Sequence, residues 1–579
     1  MGMPKGTNLT IQDVIKSISE GDYRIPRFQR DFVWSIKDSA NLIDSILKGY
    51  PIGSVILWKT KQELSEIRDF GGLSIPDKDT GRYTSYVIDG QQRLTSLLFA
   101  LKGLKTSDTD YSNICVSLIA NNEEQIVFDT LPEDSSPDDF VALKDLYSAV
   151  ALGGTHSDKR LEYYQTLLQY NVSVIEIDDE KLDLNDVIDI FERLNLGGKR
   201  LSLLSIISAR SYQSPGIDDE GNEIIGFDLS KEFDDFNDGL KSNNYGKISD
   251  STFLQSIAAC IIEKVNRAEI LKNLDAEEIR NKYQSIKTAI LAAIEHLKGN
   301  SYGVRVFSLL PYEPILVSFA YFHYKIGNSQ IAPIQESYLI DYFWRCVLGK
   351  RYNKSTDTNL NNDILKIKKI VNSETPNQEQ IVLSPKALFE NGKYKISSAF
   401  TKGMLCLMAQ ESPQSFAIGR TINITNDAVS NKADRQLHHF FPQKCSAILS
   451  NDDYKKDVDN VINIVFMDAL TNNQIDNRNP SVYIPEYSER TPEENPLPNA
   501  EIIPAFGDIL STHYISLEGF GIENDNYHLF INSRSRAFYN KLNNLIIPTA
   551  DDTIEETIVF VIDTTSNDTM EETTEVENN

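Results

Sequence analysis

The chain reads as an α+β protein of several domains, and three changes of periodicity carry that reading. Up to roughly Ser205, strand-like runs such as 51–58 and 172–177 mix with helical ones. From about 254 to 410 apolar residues recur at helical spacing, most clearly over 276–297, 337–348 and 361–371. Beyond Ile418 short strand-like runs return and an amphipathic helix over 532–546 closes the pattern. A chain of 579 residues, 41% hydrophobic and 24% charged, is ordinary globular material too long for one core. The expected division is an α/β domain over 1–208, a helical region over 209–419, a third domain over 420–548 and an acidic tail over 549–579.

Within the first domain, Tyr86-Val87-Ile88 predicts a buried strand that ends at Asp89-Gly90. From Gln91, Leu94, Leu97, Leu98, Leu101 and Leu104 then share one helical face. Asp89, Gly90, Gln91, Gln92 and Arg93 therefore stand at a helix N-terminus, where backbone N–H groups and the positive dipole end suit a phosphate. Arg93 can add a forked cationic contact there, and Asp89 a metal ligand or a water-orienting carboxylate. Spacing alone equally allows Asp89 to cap the helix and Arg93 to form a surface ion pair.

Two more segments accompany this one: Tyr23-Arg24-Ile25-Pro26-Arg27-Phe28-Gln29-Arg30 upstream, and Phe191-Glu192-Arg193-Leu194-Asn195-Leu196-Gly197-Gly198 downstream. In this order they resemble the N-terminal domain of the GmrSD-type modification-dependent restriction enzymes and of SspE, over roughly residues 8–208. The resemblance implies a ParB-like fold that binds and hydrolyses a nucleoside triphosphate. It carries the nucleotide motif onto Asp89, Gly90, Gln91, Gln92 and Arg93, and assigns Gln29, Arg30 and Asn195 to the same site.

The third domain holds Leu437-His438-His439-Phe440-Phe441-Pro442, then Asn463 in Val461-Ile462-Asn463-Ile464-Val465, and Asn472 nine residues on. A metal-assisted nuclease needs a base to activate water, a metal to neutralise charge growing on phosphate, and a scaffold that positions both. The HNH, or ββα-metal, arrangement supplies them in this order. His439 is then the general base, His438 a metal ligand, Asn463 the residue that orients the loop or His439, and Asn472 the second ligand. Residues 420–546 resemble the nuclease domain that accompanies the GmrSD-type N-terminal domain, with Arg534 and Arg536 on the closing helix. His438 departs from the acidic residue usual there, although a His-His pair is familiar in colicin-type nucleases. The expected ion is Mg²⁺ or Mn²⁺, and the imidazole opens the site to Ni²⁺ as well.

Composition sets limits on this reading. A formal charge of −27 opposes contact with a phosphate backbone, and ten of the acidic residues fall between Asp551 and Asn579, where no basic residue occurs. That tail reads as a solvated terminus, or else as a phosphate mimic in a basic channel. The clearest cationic cluster lies in the helical region: Arg345, Lys350, Arg351, Lys354, Lys366, Lys368 and Lys369, interleaved with Tyr342, Phe343, Trp344 and Tyr352. It predicts either a DNA-facing surface or solvated helix faces around core aromatics. Five scattered cysteines, no signal-like start and no long apolar run predict a protein of the reducing cytoplasm with no membrane partner. The expected partners are foreign DNA, a nucleoside triphosphate and further copies of the chain. The expected function is antiphage defence, by cleavage of DNA under nucleotide control. Two rivals stay open: a nucleotide-gated ParB-like DNA-binding regulator with a degenerate nuclease domain, and a nuclease directed at RNA.

Overall fold

Thr10 and Ser35 each open a helix by the same device. Their hydroxyls accept from the backbone N–H of Asp13 and Asp38, and those carboxylates reach back to the cap N–H, giving capping boxes for α1 (Ile11–Ser19) and α2 (Ile36–Leu47). The computed structural model that shows this describes residues 5–561 except 27–31, 62–63, 65, 68, 71–72, 75, 77–82, 107, 122, 134, 179–185, 188–189, 191–192, 194–201, 214, 218–222, 430–435 and 490–503. Gln29, Arg30 and Asn195 of the expected nucleotide site lie outside the described residues.

The architecture is α+β, with one mixed sheet and many helices. The chain divides into two units, Met1–Glu232 and Phe233–Asn579. In the first unit a six-stranded sheet comprises β1 (Lys5–Thr10), β2 (Tyr23–Pro26), β3 (Ser54–Thr60), β4 (Glu66–Ile67), β5 (Thr84–Asp89) and β6 (Asn171–Asp178), in the order β1-β6-β3-β5-β2-β4. Pairing alternates along that order: β1–β6 antiparallel, β6–β3 parallel, β3–β5 antiparallel, β5–β2 parallel and β2–β4 antiparallel. The apolar faces of α1, α2 and α3 (Gln91–Lys102) cover the sheet. Ile11, Val14 and Ile15, Ile43 and Ile46, and Leu94, Leu97, Leu98 and Leu101 form one core with Val55, Leu57, Val87, Val172 and Val174. The predicted strand and helix flanking Asp89-Gly90 are therefore present.

In the second unit, α6 (Glu313–Ile326) is buried continuously from Ile315 to Phe322, and packs against α4 (Asp250–Ile262), α5 (Ala276–Leu297) and α8 (Thr356–Val371). Helix α7 (Pro333–Leu348) meets α10 (Ala399–Gln410) where a side chain at Gly403 would collide with Val347. Between them in sequence lie the short strand β7 (Val382–Leu383) and α9 (Pro385–Glu390). The expected strand-bearing segment belongs to this same unit. It contains β8 (Leu437–His439), β9 (Ile464–Phe466), α11 (Ala469–Ile475) and the closing α12 (Tyr527–Asn543).

Two surface expectations change here. Arg345 is 2% exposed and is gripped by Asp341 on its own helix and by Asp552. Arg351 pairs with Asp363 and Glu379, and Lys366 is held by Glu379. These three cations are internal to an ion-pair network, so they supply neither a DNA-facing surface nor a solvated helix face. The tail is likewise not wholly solvated: β10 (Thr553–Ile554) pairs in parallel with β7, and the Asn532 amide holds the backbone of Val559 and Phe560. All five cysteines are buried and free. Among the described residues no helix is long and apolar enough to cross a membrane.

Candidate functional site

The first candidate site is built where β5 hands over to α3. Between Leu57 and Ile56 the ladder with β5 shifts register, so that Val87 faces Leu57 while Asp89 faces Ile56. Such an irregularity re-aims the last side chain of a strand. Gly90 follows as the helix N-cap with φ +96°, a left-handed value that glycine adopts without strain. Gln91 and Gln92 are buried in the first turn, and the Gln92 side-chain oxygen accepts the Val33 N–H at 3.0 Å. Arg93 donates through Nη2 to Asp89 Oδ2 at 2.9 Å and to the Ser54 carbonyl at 2.7 Å. Its guanidinium lies over two glycines: a Cβ at Gly53 would stand 3.2 Å from Nη1, and one at Gly90 3.3 Å from Nη2. The structure thus brings Asp89 and Arg93 together at the positive end of a helix, the arrangement that suits an anion. The N-cap of α3 is Gly90 and not Asp89. Sequence reasoning missed Gly53 and Ser54, whose place beside Arg93 arises from β3–β5 pairing across about thirty residues of chain.

The second candidate site is a short antiparallel ribbon followed by a helix. In it His438 faces Val465 and His439 faces Ile464. Asn463 is 0% exposed, and its amide is used in three directions. Nδ2 donates to the carbonyls of Phe441 (3.0 Å) and Val458 (3.1 Å), while Oδ1 accepts the Phe441 N–H (2.9 Å). The Phe440 N–H donates to the Asn463 carbonyl at 2.8 Å, and Tyr483 closes the loop from the other side by donating to the Phe440 carbonyl at 2.6 Å. The loop leaving His439 is therefore pinned on both faces, with Phe440 stacked on Phe530 at 4.8 Å and 5°. Buried as it is, Asn463 holds the loop through its hydrogen bonds and is closed to contact from outside.

His439 is half-buried, with Nε2 lying 3.3 Å from Asp459 Oδ1 and 3.4 Å from Gln443 Nε2. Burial pushes its pKa below the ordinary histidine value against the opposing pull of Asp459, which favours the neutral form that a general base needs. His438 is also half-buried. Strand alternation turns adjacent imidazoles to opposite faces, so a phosphate served by both must sit at the end of the ribbon and not over one face. Asn472 is half-buried on α11, a helix that Asp468 caps by accepting the Thr471 N–H. Its side chain makes no hydrogen bond among the described residues, which leaves the amide oxygen available to an ion. One imidazole and one carboxamide are donors that a divalent ion completes with water and phosphate oxygens. No group of three His, Cys, Asp or Glu capable of holding a metal occurs among the described residues. Asp459, Gln443 and Tyr394 around His439 were missed by sequence reasoning, because single polar residues outside a motif carry no pattern.

Residues 11–212 match the family model described as GmrSD restriction endonuclease, N-terminal domain. Over nearly its whole length the chain is similar to an uncharacterized protein of Methanocaldococcus jannaschii, with 23% identity across 92% of this chain and 98% of that one.

Proposed function

We propose that this protein is a cytoplasmic defence endonuclease of the modification-dependent restriction type. Its N-terminal unit, with a ParB-like fold, binds and hydrolyses a nucleoside triphosphate and so controls cleavage of foreign DNA by an HNH-type site near the C-terminus. The observation that carries this reading is the lock of buried Asn463 on the loop after His439, in a chain whose residues 11–212 match a restriction-endonuclease domain. A fully buried amide spent on holding one short loop makes sense where the neighbouring side chain must be aimed.

In this scheme His439 takes the proton of the attacking water. His438 and Asn472 would hold a divalent ion, which would supply neutralisation of the charge growing on the phosphate and the leaving oxygen. Asn463 keeps His439 in place. Arg93 neutralises the triphosphate with its forked cation, and Asp89 exchanges its bond to Arg93 for a metal or water contact. Gln29, Arg30 and Asn195 are assigned to nucleotide binding by the resemblance of their segments. The charge of −27 confines DNA to a local surface and makes binding weak unless a particular feature is recognised.

The test is cleavage of matched modified and unmodified phage DNAs by the full chain, with Mg²⁺ or Mn²⁺, with and without nucleotide. Cleavage is expected from the natural protein and lost in His439→Ala by roughly 10²- to 10⁴-fold, with nucleotide hydrolysis retained. DNA binding gated by nucleotide, with no nicking under any condition, would favour a ParB-like regulator instead.

A further inference from the structure

We propose that Asp459 is the positioning residue for His439: its carboxylate holds the imidazole in the tautomer protonated on Nε2, leaving Nδ1 to receive the proton of the attacking water. This rests on the nuclease reading above and names a group that reading does not require. The contact is Asp459 Oδ1 to His439 Nε2 at 3.3 Å. An ionised carboxylate only accepts, so this contact demands a hydrogen on Nε2. Gln443, 3.4 Å from the same nitrogen, imposes no choice, because a carboxamide can turn either its NH₂ or its oxygen toward the ring. Tyr394 meets the imidazole at 6.3 Å and 75°, a contact that steadies the ring plane without addressing either nitrogen.

Asp459 is itself held in place through its backbone. Its carbonyl accepts the Tyr394 N–H at 3.0 Å, Asn460 Nδ2 donates to the Phe389 carbonyl at 2.9 Å, and the Val461 N–H donates to the Gly392 carbonyl at 2.7 Å. Asn463, which pins the loop on the far side of His439, lies four residues on. One short segment thus carries both the lock on the loop and the carboxylate on the ring. The Asp459 side chain is 49% exposed, so packing does not account for its place. In the reaction the water O–H bond breaks, its proton goes to Nδ1, and the oxygen forms a bond to phosphorus as the sugar oxygen departs with the electron pair of the broken P–O bond and takes a proton from solvent water. The imidazolium so formed is stabilised by Asp459, as a third group orients and supports the base in other base-activated sites.

The experiment uses the full chain on a phage DNA that the natural protein cuts. Asp459→Ala is expected to lower kcat by about 10- to 100-fold with KM for DNA unchanged, the usual scale for loss of an orienting partner. Asp459→Asn should fall between, because its oxygen still accepts but carries no charge. In a His439→Ala background, Asp459→Ala should cost nothing further, since residues that act as a unit are not additive. Nitrogen-15 spectra of the histidine rings supply a readout that does not depend on cleavage. The His439 signal, identified by its loss in His439→Ala, should show hydrogen on Nε2 in the natural chain and a mixture of tautomers in Asp459→Ala. Full activity of Asp459→Ala, or an unchanged tautomer, overturns the role and leaves the nuclease reading standing. A natural chain that cuts no DNA overturns both, whatever the spectra show of the contact.

Discussion

Arg534 carries its charge into a position that is 0% exposed, with no carboxylate beside it among the described residues. Burial lowers its pKa to about 9, which still leaves it protonated at neutral pH. Its donors go instead to the His513 carbonyl at 3.1 and 3.0 Å, to the Ile462 carbonyl and to Met408 Sδ, with the Phe538 ring 5.3 Å away. The Ile462 carbonyl adjoins Asn463, so this guanidinium braces the segment that pins the His439 loop. Arg534→Met should destabilise the second unit by about 3 kcal/mol, because it leaves two buried carbonyls unpaired, and Arg534→Lys should not restore it since a point charge cannot replace the fork. Urea unfolding measures this, and a change under about 1 kcal/mol would remove the bracing role.

His513 adds a pH dependence. Its Nε2 donates to the Gln414 carbonyl at 2.8 Å and its Nδ1 is buried with no hydrogen-bond partner among the described residues, so protonation would create a second buried cation beside Arg534. Burial pushes its pKa down to about 4, below the unfolded value of 6.5. Between those values the unfolded chain binds the proton and the folded one does not. Stability from this group is therefore complete above about pH 6.5 and is lost as pH falls toward 4, by up to about 3 kcal/mol. His513→Phe should flatten the dependence of urea midpoint on pH across that window. An equal slope in the variant would assign acid sensitivity elsewhere.

At the scale of elements, the junction of β5 and α3 shows how far pattern reading reaches. The strand over Val87 and Ile88, the turn at Gly90 and the leucine face as far as Leu101 were legible, because each is a local regularity, whereas Leu104 lies beyond the helix, which ends at Gly103 with φ +60°. Gly53 was not, because its meaning comes from pairing with a strand far along the chain. It has φ +88° and faces Arg93, whereas Gly49 has φ +72° with nothing near its missing Cβ. Gly49→Ala and Gly53→Ala should each lose about 1–2 kcal/mol of stability to backbone strain, but only Gly53→Ala should also impair nucleotide turnover. Equal turnover in the two variants would detach Gly53 from the site.

The C-terminal strap was misread for a similar reason. Ten acidic residues and no basic one between Asp551 and Asn579 suggest solvation, yet Asp552 receives Arg345 Nη1 and Nη2 at 2.8 and 2.7 Å from 207 residues away. A long-range partner leaves no mark on local composition. Burial opposes its ionisation, but the Arg345 bonds and the Thr549 and Ile381 amides hold its pKa well below the usual carboxylate range. Asp552→Ala leaves Arg345 paired with Asp341 but removes two of its bonds and the acceptor of the Thr549 and Ile381 N–H groups, and should cost about 1–3 kcal/mol.

For the whole molecule the question is whether its two units act together. A nucleotide bound among Asp89 to Arg93 can influence His439 only by binding two conformations with different affinity, since a ligand that binds both equally shifts nothing. Coupling of that kind is reciprocal for binding free energies, so DNA that is recognised should change nucleotide affinity by the same factor that nucleotide changes DNA affinity. The common magnitude of such coupling, about 1–3 kcal/mol, corresponds to a change of roughly 5- to 150-fold. Arg93→Ala removes the bonds to Asp89 and to the Ser54 carbonyl and leaves the second unit's sequence untouched. It should abolish nucleotide turnover and, through the coupling, alter restriction of phage in cells that express it at the natural level. Turnover by the natural protein should in turn differ between matched modified and unmodified DNA. Full phage protection by a turnover-dead Arg93→Ala chain, with turnover of the natural protein indifferent to every DNA tried, would make the N-terminal unit a scaffold. The charge of −27 gives that outcome a further consequence: an ungated nuclease must then owe its restraint to weak DNA binding, and lowering the salt would deepen the restraint by unscreening the repulsion between chain and phosphate backbone.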